Sequence, residues 1–112
     1  MEKKPAIAAL ASLAHESRLD IFRRLVEVGP AGEAAGTLAE RLRLPAATLS
    51  FHLSQLRQAG LVASRREGRS IIYSADFEAM NALIGYLTEN CCRGKEDCFG
   101  TACSPALATE PA

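Results

Sequence analysis

Two short helices joined by a tight turn, then an arginine-tipped hairpin, predict a mainly α domain with a β-hairpin wing, the winged helix-turn-helix architecture. Three observations carry this expectation. Thr37-Leu38-Ala39-Glu40 has the Thr-x-x-Glu spacing of a capping box, Pro45 opens an amphipathic stretch stopped by Gly60, and the hydrophobic period changes after Gly60.

Five helices are expected, taken here in chain order. Ile7, Leu10 and Leu13 stand at helical spacing in the Ala-rich stretch Ala6 to Ala14, which suits an amphipathic first helix better than a secretion signal behind Lys3 and Lys4. His15 precedes the second helix and is read as its local cap. From Ser17 to Val28, Leu19, Phe22, Leu25 and Val26 share one side, and Gly29, Pro30 and Gly32 end the run. Gly36 closes the connecting loop, and the third helix is expected from about Leu38 to Arg43. Pro45 cannot continue that helix but suits the start of the next, which reads to about Ala59.

Gly68 can take the positive φ of a tight hairpin turn, and Ile71, Ile72 and Tyr73 after it favour strand. Asp76 then caps a fifth helix to about Asn90. Phe77, Met80, Leu83, Ile84 and Leu87 lie on one side of it, with Ala79, Ala82 and Tyr86 on another, so it is expected to pack on its own domain and on a second chain. Residues 1–92 are read as the DNA-binding and dimerisation domain, and 93–112 as a flexible tail.

The length of 112 residues supports one core. Thirteen basic and thirteen acidic residues cancel, but the cancellation hides segregation. Met1 to Ser74 holds eleven Lys/Arg against seven Asp/Glu, net +4, and the remainder holds two against six, net −4. Arg41, Arg43, Arg57, Arg65, Arg66 and Arg69 fall in a stretch whose one acid is Glu67, a basic patch suited to nucleic acid. No run is apolar enough to span a membrane, and a cytoplasmic location, which keeps thiols reduced, is expected.

At about 100° per residue, Leu49, Leu53 and Leu56 share one face of the fourth helix and must meet the core. Ala47, Thr48, Phe51, Ser54, Gln55 and Gln58 lie opposite, with Ser50 and His52 on the flanks. The expected DNA contacts are Thr48, Ser50, Phe51, His52 and Gln55, with Arg65, Arg66 and Arg69 neutralising phosphates from the wing. Two readings stand for Phe51: contact with a thymine methyl in the major groove, or cover for a neighbouring element. His52 suits a phosphate or backbone hydrogen bond better than base reading.

All four cysteines, Cys91, Cys92, Cys98 and Cys103, cluster behind the last helix, and thiolates select soft ions. Other readings are thiol oxidation, structural zinc on all four sulfurs, and inert cysteines. Directly adjacent ligands are awkward for tetrahedral zinc, and inert cysteines are usually scattered through the core. An enzyme is not expected: neither a Cys-x-x-Cys redox pair nor a Gly-rich anion loop occurs. No organic cofactor is expected either.

The segment from about Ala6 to Cys98 resembles the ArsR/SmtB metalloregulatory repressors. The resemblance rests on Leu13-Ala14-His15-Glu16-Ser17-Arg18-Leu19-Asp20-Ile21, on Leu49-Ser50-Phe51-His52-Leu53-Ser54-Gln55-Leu56 through Ala59-Gly60-Leu61-Val62, and on Arg66-Glu67-Gly68-Arg69 with Tyr73. It implies a homodimer built through the first and last helices, bound to near-palindromic double-stranded operator DNA and released when metal binds. The better-known arsenic site of the family, Cys-Val-Cys, aligns with Ala34-Ala35-Gly36 and is absent. The zinc type needs histidine on the last helix, and none follows His52. The chain instead resembles variant arsenic repressors with a Cys-Cys pair and a third Cys six residues on, which implies Cys91, Cys92 and Cys98 as ligands. The implied effector is trivalent arsenic, as arsenite or a related trivalent arsenical, with antimony as an alternative. Both ions bind three thiolates as a pyramid. Adjacent helical residues point about 100° apart, so Cys91 and Cys92 converge only where the helix frays.

Overall fold

The computed structural model describes residues 1–91. Cys92, Cys98, Cys103 and the tail expected over 93–112 lie outside the described residues. The order of elements is α1 (Lys3–Leu13), α2 (Glu16–Val28), β1 (Glu33–Ala34), α3 (Ala35–Leu42), α4 (Ala46–Gln58), β2 (Val62–Glu67), β3 (Ser70–Ala75) and α5 (Phe77–Leu87). The winged helix-turn-helix and its five helices are as expected.

Ile21, Leu25, Leu38, Leu49, Leu53, Leu56 and Leu61 form the most deeply buried part of the core. Leucines from α2, α3 and α4 thus meet beneath the hairpin. The local start signals act as read. His15 Nδ1 accepts the Ser17 N–H at 3.2 Å and caps α2. Asp76 accepts the Ala79 N–H at 3.0 Å and caps α5. Gly68, at φ 62°, opens the two-residue turn that sets Glu67 opposite Ser70.

Four details differ from the expectation. First, α3 begins at Ala35 with Ala34 as N-cap and no side-chain cap, so Thr37 lies inside the helix and the capping box is not used. The two residues just before it, Glu33 and Ala34, pair with Tyr73 and Ile72 as β1, giving a three-stranded sheet of order β1-β3-β2, so the end of this strand sets where α3 begins. Second, α1 buries Ala6, Ala9 and Ser12, while Ile7 and Leu10 are exposed. Small side chains let α1 approach its own domain closely and turn the larger ones outward. Third, Leu19 is exposed and Ile21 takes the buried place in α2. Fourth, α5 stops at Leu87. Thr88 Oγ1 donates to the Ile84 carbonyl at 2.9 Å, and Asn90 turns left-handed at φ 59°. On α5 only Leu83 is buried, with Phe77, Ala79, Met80 and Tyr86 packed beside it.

Two tethers join the wing to the body. Glu33 accepts both Nε and Nη2 of Arg24, at 3.1 and 3.0 Å, and lies 3.7 Å from Arg41. Its side chain is 11% exposed, and the Arg24 hydrogen bonds, ahead of the charges of Arg24 and Arg41, hold its carboxyl below the usual carboxylate value. Arg65 supplies the second tether, donating to the Ala31 carbonyl at 2.6 Å and to Glu67 at 2.8 Å.

Gly32 shows how close β1 runs to β3. At φ 77°, a Cβ there would lie 2.5 Å from the Tyr73 carbonyl oxygen and 2.8 Å from Ile72. Gly29, at φ 92°, has open space around the same position. Replacing either by alanine carries the strain of a left-handed backbone, of order 1–2 kcal/mol. Gly32→Ala adds a clash with backbone, so urea unfolding is expected to show a distinctly larger loss for Gly32→Ala than for Gly29→Ala. Equal losses would contradict the close β1–β3 approach.

Candidate nucleic-acid interface

The turn between α3 and α4 is three residues long, with Arg43 left-handed at φ 57°. The Leu44 N–H returns to the Ala39 carbonyl at 3.0 Å, so the two helices are locked at a fixed angle. Pro45 at φ −59° then starts α4 without a side-chain cap. Leu49, Leu53 and Leu56 face inward, as their spacing required.

Thr48, Ser50, Phe51 and Ser54 stand exposed on one surface of α4. Phe51 is 55% exposed, and its ring leans on the adjacent His52 ring with centroids 5.7 Å apart. A ring so open is not cover for a neighbouring element within its own chain. Gln55 is half-buried, at the edge of a cleft of about 290 Å³ lined also by Ala8, Ala11, Ser12, Arg18, Gln58 and Ala59.

His52 departs from the expectation. It is 6% exposed, accepts the Arg18 Nε–H on its Nδ1 at 3.2 Å, and lies 4.8 Å, centroid to centroid, from the His15 ring. Its ring belongs to the contact between α4 and the start of α2, so it is not on the surface that a DNA contact requires. Burial first, then the charges of His15 and Arg18, hold its imidazole below the ordinary histidine value. Sequence spacing placed His52 on a flank; the signal that turns it inward is the polar pair His15 and Arg18 waiting for it.

Arg65, Arg66 and Arg69 also separate. Arg65 is tied to Ala31 and Glu67, so its guanidinium serves the wing's attachment instead of standing free for phosphate. Arg66 and Arg69 are exposed and, among the described residues, make no ion pair. Across the strands Arg66 faces Ile71, also exposed, on the outer part of the wing.

A family profile described as "Helix-turn-helix domain" matches residues 13–65. The HTH-type transcriptional regulator YgaV of Escherichia coli (strain K12) is 38% identical over 87 residues, 78% of this chain and 86% of that protein. The transcriptional activator HlyU of Vibrio cholerae is 33% identical over 98 residues, covering 86% and 88% of the two chains. The solved structure of an ArsR-like transcriptional regulator from Rhodococcus sp. RHA1 superposes with a TM-score of 0.67 at 32% identity, over 75% of this chain and 76% of that one. The chain belongs to the ArsR family of transcriptional regulators. ArsR-family proteins are DNA-binding transcriptional regulators, not enzymes. One structural relative at 24% identity and TM-score 0.63, Mb0332 from Mycobacterium bovis, is itself described as a homodimeric winged helix-turn-helix domain.

Ile7 and Leu10 of α1, and Ile84 and Leu87 of α5, are exposed on two helices that touch each other. Among the described residues no three His, Cys, Asp or Glu side chains gather into a metal-sized group, and no helix is long and apolar enough to cross a membrane. Of the implied ligands, only Cys91 is described: it is half-buried, past the end of α5, and its N–H donates to the Thr88 carbonyl at 2.9 Å.

The two wing arginines give a separable expectation. Arg66→Ala should weaken DNA binding across sequences and lower the salt slope of log K by about 1, with an unchanged melting temperature. Arg65→Ala should lower the melting temperature, because it removes the wing's anchor to Ala31. Salt-dependent fluorescence anisotropy beside thermal unfolding checks both.

Proposed function

We propose that the chain is an operator-binding repressor that works as a homodimer and is released when trivalent arsenic, or antimony, binds the thiolates of Cys91, Cys92 and Cys98. The observation that carries the reading is the spacing of those cysteines directly behind α5. The local backbone suits it. α5 ends at Leu87 and Asn90 is left-handed, so Cys91 lies past the regular helix and outside the roughly 100° spacing that an intact helix imposes. Trivalent arsenic, with its lone pair, takes three sulfurs as a pyramid, the number this spacing offers.

The dimer is supported by the apolar Ile7, Leu10, Ile84 and Leu87, whose exposure on α1 and α5 is costly in a monomer. An effector at the end of α5 therefore acts next to the subunit contact. Two recognition helices must match half-sites about 34 Å apart, so a small change in subunit placement weakens DNA binding. Coupling between sites is typically about 1–3 kcal/mol, and near-complete switching requires about 5.5 kcal/mol. A second reading, thiol oxidation as the signal, is favoured by one relative whose solved structure is described as reduced HlyU from Vibrio cholerae, 30% identical with a TM-score of 0.59.

Gel shifts on the DNA upstream of the chain's own gene, with and without arsenite, test the proposal. Wild type is expected to bind and then release as arsenite is added under reducing conditions, with ultraviolet sulfur–arsenic absorption for three thiolates per chain that is lost on substitution of Cys91, Cys92 or Cys98. Cys92→Ser should bind DNA and ignore arsenite. Loss of DNA binding in Cys92→Ser would make the cysteines structural. Release by peroxide but not by arsenite would favour oxidation.

A further inference from the structure

The recognition helix α4 is held against the start of α2 by one polar contact that depends on a proton's whereabouts. His52 sits midway along α4, buried, and its Nδ1 accepts the Nε–H of Arg18. Nitrogen that accepts a hydrogen bond carries no proton, so this contact exists only with Nδ1 free. Beside it stands His15, its ring 4.8 Å from that of His52 and its own Nδ1 committed to the Ser17 N–H. The His52 ring also lies against that of Phe51, centroids 5.7 Å apart, and Phe51 is the most open large side chain of the outward face of α4.

We propose that His15, Arg18 and His52 are positioning residues for DNA readout: they fix the seating of α4 on the start of α2 and the lean of Phe51, and they do so only while His52 Nδ1 is unprotonated. The inference rests on α4 being the DNA-reading helix and is independent of the effector.

The chemistry follows from the contact. A proton on Nδ1 turns the acceptor into a donor facing the Arg18 donor, so the hydrogen bond is lost and two cations are set against each other in a buried place. The charge of His15 adds to the repulsion. No charged group of α1, α3 or the sheet, among the described residues, offsets it. Buried His52 must then move outward, taking the Phe51 ring with it. The low protonation tendency of His52, caused by burial and by its two basic neighbours, matches this arrangement. The sign is definite: the contact contributes above the ordinary histidine range near 6.5 and is lost as pH falls through the depressed value of the folded state.

The test uses the full chain and a labelled duplex taken from upstream of its own gene, with ionic strength held constant from pH 7.5 to pH 5.0. Wild type is expected to lose affinity several-fold across that range, with the loss steepening as pH falls. In His52→Asn the amide oxygen can accept from Arg18 in place of Nδ1 and cannot be protonated, so its affinity is expected to vary less than threefold. A His52→Asn profile that tracks wild type, or a flat wild-type profile, overturns the proposal. NMR titration of the wild-type His52 ring gives a second reading that needs no variant. Because binding requires the unprotonated ring, its titration midpoint must be lower in the DNA complex than in the free protein. An unchanged or higher midpoint in the complex overturns the proposal. No DNA binding at any pH would instead overturn the assignment of α4 as reader.

Discussion

Burial of Leu49, Leu53 and Leu56 is the constraint on which the rest of the molecule turns. Each side chain contributes roughly 1.5–3 kcal/mol by leaving water, and a small domain has only about 5–15 kcal/mol of net stability. Rotating α4 by one residue would expose all three, a loss the domain cannot sustain. The outward surface is therefore decided by the inward one, and Thr48, Ser50, Phe51 and Ser54 are presented together because three leucines are not. Function in this chain begins as a packing problem.

Orientation of the wing is a separate matter, settled by polar contacts. The bidentate Arg24–Glu33 pair binds α2 to β1, which pairs with β3, while Arg65 ties β2 to the loop at Ala31. These contacts sit where α2, the sheet and α3 converge, so the hairpin cannot swing freely about its base. Arg66 and Arg69 are left at the outer end with no partner among the described residues. A positive tip on a fixed arm suits phosphate neutralisation at a set distance from the reading helix.

What could be read in the sequence was whatever is encoded by neighbours in the chain. Pro45 and Gly60 bracket α4 because proline and glycine act on their own backbone, and Gly68, His15 and Asp76 act within two or three residues. The parts not legible are those set by distant partners. β1 is two residues long and exists because β3 lies beside it. The buried face of α1 is its alanine side, chosen by how closely the helix can approach the domain, whereas a hydrophobicity count picks Ile7 and Leu10. His52 looks like a surface residue until His15 and Arg18 are seen waiting 37 and 34 positions earlier. Arg65 reads as one of three equivalent arginines, and only the folded wing shows that it is an anchor. For the DNA surface, spacing along α4 captured the leucine face but not the inward turn of His52. For the proposed effector site, the cysteine spacing carries the reading and the early end of α5 supports it.

The apolar side chains left outside on α1 and α5 connect these parts in the proposed dimer. An ion captured behind α5 and a duplex held by α4 would influence each other through the placement of the two subunits. Such coupling must be reciprocal: whatever factor arsenite takes from DNA affinity, DNA must take from arsenite affinity. The most direct measurement is the arsenite affinity of the reduced protein, determined once free and once saturated with operator DNA. The account predicts weaker arsenite binding in the complex, by the same factor as the arsenite-induced loss of DNA affinity. Equal arsenite affinity in the two states would contradict it, whatever the ion does to the cysteines.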